Sequence, residues 1–230
     1  MSLFSGIKGM GFDLDGTLVN SLPGLAQAVD ATLESLGLPT AGDERVSHWI
    51  GNGASVLITR ALTWAGGDTS AEYVERARIL FDHHYGESVE QGTQLYPHVE
   101  STLKFLADDG IKMALVTNKP TQFVRPLLNS LGILDYFSVI IGGDDVVEKK
   151  PHPAPIYLML GQLGLRADEL VFVGDSRNDI QAGQAAGCPT IGLSYGYNYG
   201  ESITLSHPDR VLATFAELLP VIGQLTSKMN

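Results

Sequence analysis

Two textures of apolar and polar positions divide the chain. From about residue 20 to residue 92 the apolar positions recur at three- and four-residue steps, which is the period of a helix with one buried face. Leu22, Leu25, Ala26, Val29, Leu33 and Leu36 form the first such stripe. Ser21 suits its N-cap, Pro23 its first turn, and Gly37 with Pro39 its end. Helical patterns continue from Val46 to Leu62 and from Ser70 to about Tyr85, with no strand-like run between them. Beyond Tyr96 the texture changes to amphipathic stretches alternating with short apolar runs. The helices are expected near Val99–Asp109, Thr121–Leu131, Ala154–Leu163 and Ile180–Ala186. The runs Met113–Val116, Val139–Ile141, Leu170–Val173, Thr190–Leu193 and Arg210–Leu212 read as strands, with a terminal helix from Thr214 to Leu225. One more apolar run of strand length precedes the helical insert and halts at Asp13, Asp15 and Gly16.

Short apolar strands alternating with helices imply an α/β fold with a parallel sheet covered on both faces. Ligands of such sheets bind beyond the carboxyl ends of the strands. Asp13, Asp15, Thr117, Asn118 and Asp175 all fall at strand carboxyl ends, a gathering that a purely structural sheet does not require.

Side chains two apart in an extended strand point the same way, so Asp13 and Asp15 are expected to project together. Two close carboxylates repel, and burying them bare is expensive. A divalent cation relieves the conflict, and an oxygen-only site suits Mg²⁺. A helix cap and a turn are the plainer alternative for the two residues. Thr117 and Asn118 offer neutral hydrogen bonds to a phosphoryl oxygen, or a cap ahead of Lys119-Pro120. Lys150, fixed at a rigid turn by Pro151 and Pro153, can reach an acidic site and bind a phosphoryl group as a point cation. Lys149 reads as a solvated charge and His152 as a local cap. Asp175 ends a strand, and Asp179 follows one helical turn later, where it can support a metal site or Lys150.

The net charge of −11 over 230 residues argues against nucleic acid as a partner. Cys188 is the single cysteine, which fits a reducing cytoplasm. No apolar run approaches membrane-span length and no signal-peptide pattern opens the chain.

Asp13-Leu14-Asp15-Gly16-Thr17, Thr117-Asn118, Lys150-Pro151 and Gly174-Asp175 with Asp179 resemble, in order, the four motifs of the haloacid dehalogenase superfamily. That resemblance implies a Rossmann-like core over residues 1–19 and 93–230, with a helical C1 cap inserted over residues 20–92. Trp49–Ala54, Lys150–Pro155 and Gly196–Glu201 are similar to stretches of its bacterial 2-phosphoglycolate phosphatases. The implied activity is hydrolysis of 2-phosphoglycolate to glycolate and phosphate. Asp13 would be the nucleophile that forms an aspartyl-phosphate, and Asp15 the acid and base. Mg²⁺ would be held by Asp13, the main-chain carbonyl of Asp15 and Asp175. Thr117, Asn118 and Lys150 would stabilise the phosphoryl oxygens, with Asp179 in support.

Asp15 favours phosphoryl transfer over halide displacement, since halide needs no protonated leaving group. The absence of lysine from residues 20–92 removes the Schiff-base chemistry of the superfamily's phosphonate hydrolases. Arg45 in the insert is a candidate partner for the substrate carboxylate, with a solvated arginine as its alternative. Another small phosphomonoester, such as a sugar phosphate, is the alternative substrate. A non-catalytic phosphate-binding regulatory protein is the alternative of a different class. The expected partner is a small phosphorylated molecule, with no membrane or nucleic acid, for a monomer or homodimer in the cytoplasm.

Overall fold

The computed structural model describes residues 6–221. Strand β1 (Gly9–Phe12) leads through the acidic loop into β2 (Val19–Asn20) and then four helices. These are α1 (Leu22–Ser35), α2 (Gly42–Ser47), α3 (Ala54–Ala65) and α4 (Ala71–Ser88), after which β3 (Gln94–Leu95) returns to pair antiparallel with β2. The remainder alternates as expected: α5 (Val99–Asp108), β4 (Lys112–Val116), α6 (Thr121–Ser130) and β5 (Val139–Ile141). Then follow α7 (Ala154–Leu163), β6 (Leu170–Gly174), α8 (Arg177–Ala185), β7 (Thr190–Leu193) and β8 (Arg210–Leu212).

Six strands form one parallel sheet in the order β5-β4-β1-β6-β7-β8, so β1 lies between the two strands that carry the other site loops. The strand period of two sorts its side chains onto opposite faces. Met10, Phe12, Leu115 and Val173 pack with α5 and α6 residues such as Leu103 and Leu127, whereas Ala114, Val116 and Phe172 pack with Ile156 and Met159 of α7. Phe12 is fully buried, and truncating it to alanine would cost about 3–5 kcal/mol from lost contacts and a residual cavity.

Three expectations are corrected. The helical pattern from Val46 to Leu62 is two helices, because Gly51 and Gly53 hold positive φ values of 115° and 84° in the loop between α2 and α3. Ser21 precedes α1 but makes no side-chain cap; its amide instead donates to the Tyr197 hydroxyl. Helix α8 begins at Arg177, three residues before Ile180, because Ser176 and Asp179 form a capping box that starts it earlier. At the other end, a 3₁₀ turn occupies Phe215–Glu217, and the end of the expected terminal helix lies outside the described residues. Among the described residues no helix is long and apolar enough to cross a membrane.

Candidate active site

The site lies where β1, β4 and β6 end. Asp13 follows β1 and its amide still donates to the Val173 carbonyl, so the sheet fixes its backbone. Thr117 follows β4 with its amide on the Ile141 carbonyl, and Asp175 follows β6. Asp13, Asp175 and Asp179 are buried, and one carboxylate oxygen from each lies within 4.8 Å of the others.

Lys150 ties this cluster together. Its Nζ donates to Asp13 Oδ1 at 2.8 Å, to Asp179 Oδ1 at 2.7 Å and to the Val116 carbonyl at 2.7 Å. Burial alone would lower the pKa of its ammonium group, but Asp13 and Asp179 together outweigh burial and hold it above the usual lysine range. Asp179 is fully engaged, since its Oδ2 accepts from the amide and hydroxyl of Ser176 at 3.0 and 2.7 Å. It therefore fixes both Lys150 and the start of α8.

One buried lysine does not balance three carboxylates. Burial first, then the Asp179 charge, raise Asp13 to about 7 against the pull of Lys150. Burial, Asp179 and Asp13 raise Asp175 well above the usual carboxylate range. Asp175 is also tightly framed: Oδ1 accepts from Thr17 Oγ1 at 2.7 Å and Oδ2 from the Tyr197 amide at 2.8 Å. A Cβ added to Gly16 or Gly196 would fall 2.3 or 2.2 Å from that side chain, so these glycines leave room for the carboxylate alone. An excess of buried carboxylate oxygens in a rigid frame fits a divalent cation. Asp13, Asp175 and Asp179 form the cluster that could hold it.

Asp15 takes a different direction from Asp13. The strand ends at Phe12, and the turn beyond carries Asp15 to Lys119, whose Nζ donates to both carboxylate oxygens at 2.9 and 3.2 Å. The same Nζ donates to the Tyr85 hydroxyl of α4. The Asp15 carboxylate is thus paired with Lys119 and lies apart from the cluster of Asp13, Asp175 and Asp179. Lys119 and Tyr85 were missed at the sequence level. Lys119 reads there as the flank of a cap, and Tyr85 only as the approximate end of a helical pattern; in the structure it stacks on Phe81 at 5.3 Å.

Of two further expected ligands, Asn118 lines the cavity with its side chain already engaged, and Arg45 lies outside the lining. The Asn118 amide donates to the Gly51 and Lys150 carbonyls at 3.0 and 2.8 Å and accepts from the Lys150 amide at 3.1 Å. Its side chain positions the insert loop and Lys150 and has no donor left for a phosphoryl oxygen. Arg45 donates to the Ala41 carbonyl at 3.1 Å and lies over the Trp64 ring at 4.8 Å, outside the residues that line the cavity. Thr117 does line it; its oxygen accepts from the Lys119 amide, leaving the hydroxyl proton to donate. The cavity, about 40 Å³, lies over Asp13 and Asp15 and is closed by Leu25, Ile50, Leu57 and Phe81 of the insert. Elsewhere, His152 Nδ1 accepts from the Ala154 amide, a local cap as expected, and burial pushes the Cys188 thiol up to about 12.

The model of the haloacid dehalogenase-like hydrolases matches residues 11–193, from the middle of β1 to the end of β7. The chain belongs to the haloacid dehalogenase-like hydrolase family. The match contains every acidic and lysine residue of the site just described. A phosphoglycolate phosphatase of Yersinia pseudotuberculosis is 66% identical over 223 residues, covering 97% of this chain and 96% of the relative. One from Pectobacterium atrosepticum is 60% identical over 227 residues, covering 99% and 97%. The crystal structure of a predicted phosphoglycolate phosphatase from Haemophilus somnus 129pt superposes with a TM-score of 0.91 at 44% identity, covering 94% of this chain and 98% of that one. Members of this hydrolase family use a divalent metal, which agrees with the surplus of buried carboxylate found here.

Proposed function

We propose that this chain is a Mg²⁺-dependent phosphatase that hydrolyses 2-phosphoglycolate to glycolate and phosphate. The observation that carries the reading is the convergence of Asp13, Asp15 and Thr117 on one cavity at the carboxyl edge of the sheet, with Lys150 bound to Asp13. The names of relatives at 60% and 66% identity support the same substrate.

In this reading Asp13 attacks phosphorus and becomes an aspartyl-phosphate, with its Oδ1 already oriented by Lys150. Asp15 gives a proton to the departing alkoxide and then takes one from the water that hydrolyses the intermediate. Lys150 and the Thr117 hydroxyl stabilise charge on the equatorial oxygens, so catalysis is mainly positioning and electrostatics. Bound Mg²⁺, held by Asp13, Asp175 and the main-chain carbonyl of Asp15, supplies positive charge to the phosphoryl oxygens. Asp179 keeps Lys150 in place. Residues 20–92 serve as a cap that excludes water when closed over the core of residues 1–19 and 93–230. The enzyme acts in the cytoplasm on a small anion and needs no nucleic acid or membrane.

The test is phosphate release from 2-phosphoglycolate and from a panel of sugar and nucleotide monophosphates, with and without Mg²⁺. Strong preference for 2-phosphoglycolate is expected, abolished by chelation and by Asp13→Asn. Turnover of another ester in preference would retain the chemistry and discard the substrate. Full activity in Asp13→Asn would overturn the mechanism.

A further inference from the structure

The cavity over Asp13 and Asp15 has apolar walls, and among the residues lining it the one cation is Lys119. Other nearby cations are engaged away from it. Lys150 lies between Asp13, Asp179 and the Val116 carbonyl. Arg60 donates to the Trp49 carbonyl and to Asn52, Arg78 pairs with Asp82, and Lys149, beside Gly53 at the rim, pairs with Asp144 at 3.6 Å. With a phosphoryl group on Asp13, the rest of the ester must occupy this chamber. A carboxylate there would be badly solvated without a partner.

Lys119 has the geometry to be that partner. Its side chain is 2% exposed, and its three N–H donors fall on two groups: both oxygens of Asp15 and the Tyr85 hydroxyl. Lys119, Asp15 and Tyr85 all line the cavity, and Asp15 needs only one of those donors to stay paired, so a carboxylate entering there can take over the other. Tyr85 places a hydroxyl from α4 beside it, so a carboxylate there meets one group from the core and one from the insert. Because Lys119 is already in contact with Asp15, its ligand must sit close to the ester oxygen that Asp15 serves. That requirement selects an acid whose carboxylate is attached to the carbon bearing the phosphate.

We infer that Lys119, assisted by Tyr85, is the specificity determinant that binds the carboxylate of small phosphorylated carboxylic acids. The inference rests on Asp13 being the phosphoryl acceptor, as proposed above. It gives Lys119 the role that the sequence suggested for Arg45.

The experiment compares kcat/KM for 2-phosphoglycolate with that for ethyl phosphate, which has the same carbon chain and no carboxylate, in Mg²⁺-loaded enzyme. The ratio in Lys119→Met should fall at least a hundredfold from wild type, mainly through KM for 2-phosphoglycolate; in Tyr85→Phe it should fall about tenfold, equivalent to about 1.4 kcal/mol. Dividing by the ethyl phosphate value removes any general effect on Asp15. A wild-type ratio preserved in Lys119→Met overturns this inference and leaves the phosphatase reading standing. A wild-type enzyme with no preference between the two esters sinks the 2-phosphoglycolate reading, and this inference with it. Lys119→Met orphans a buried carboxylate and can fail to fold, so a second comparison removes both partners. By calorimetry, Asp15→Asn/Lys119→Met should bind 2-phosphoglycolate at least tenfold more weakly than Asp15→Asn alone. Equal binding would overturn the inference independently of turnover.

Discussion

Lys150 and Lys119 divide Asp13 and Asp15 between them, and each lysine is buried rather than solvated. Asp13 remains a strained group, because Asp179 and burial raise it to about 7 despite Lys150. The sign of the resulting pH effect follows directly. A carboxyl whose folded pKa exceeds its unfolded value of 3.8 contributes stability that is full below that value and is lost as pH rises through about 7. Asp175 is shifted in the same direction. Chelated protein should therefore lose thermal stability between about pH 5 and about pH 8, and saturating Mg²⁺ should flatten that decline. Melting curves of wild type and Asp13→Asn across this window check it. A chelated wild type whose Tm rises with pH, or whose slope Asp13→Asn leaves unaltered, would contradict the charge balance described here. Gly196→Ala probes the frame of Asp175, since its Cβ would lie 2.2 Å from that side chain. The Mg²⁺ concentration for half-maximal activity should rise about 10–100-fold, as for other changes that tilt a metal ligand. An unchanged metal titration would mean that Asp175 does not hold the ion.

Among the connecting elements, the loop after β7 joins the insert to the core. The Tyr199 ring lies between Arg60 of α3 at 5.5 Å and Arg177 of α8 at 4.5 Å, and its hydroxyl accepts from Asn178 at 2.7 Å. Asn178 and Asn118 both donate to the Gly51 carbonyl at 3.0 Å, so the insert loop is pinned from two core loops. Tyr199→Ala should raise hydrogen exchange across residues 49–53 and increase KM severalfold, with the strand amides of the sheet unaffected. Unaltered exchange in that loop would show that Tyr199 does not hold it. The sheet was legible in the sequence because buried strands and amphipathic helices carry strong periods. The β2–β3 ladder was not, since two-residue strands such as Val19–Asn20 have no period to read. Asp13, Asp15 and Asp175 were legible from their places at strand ends, Asp179 from its spacing after Asp175, and Lys150 from the rigid turn set by Pro151 and Pro153. The contact of Lys119 with Asp15 was not legible, because chain order locates a loop at the site without giving the direction of each side chain. Arg45 lies over Trp64, a contact between residues of α2 and α3 that local pattern cannot reveal.

At the scale of the whole molecule, an enzyme with a net charge of −11 must admit a substrate of the same sign. The positive groups of the site are enclosed: Lys119 and Lys150 are each 2% exposed and paired with carboxylates. They act at contact, so the field met by an approaching anion is that of the acidic surface. Repulsion of this kind is screened when the Debye length contracts from about 30 Å at 0.01 M salt to about 8 Å at 0.15 M. Added salt should therefore accelerate encounter, opposite to the usual slowing of steered association. With Mg²⁺ saturating throughout, kcat/KM for 2-phosphoglycolate should rise roughly twofold to fivefold over that range, while kcat stays constant. Ethyl phosphate carries less negative charge and should respond less, which separates screening from any effect of salt on the protein itself. Measuring both esters in an inert chloride series checks this. A fall in kcat/KM for 2-phosphoglycolate would show that the metal-loaded site, and not the acidic surface, governs approach.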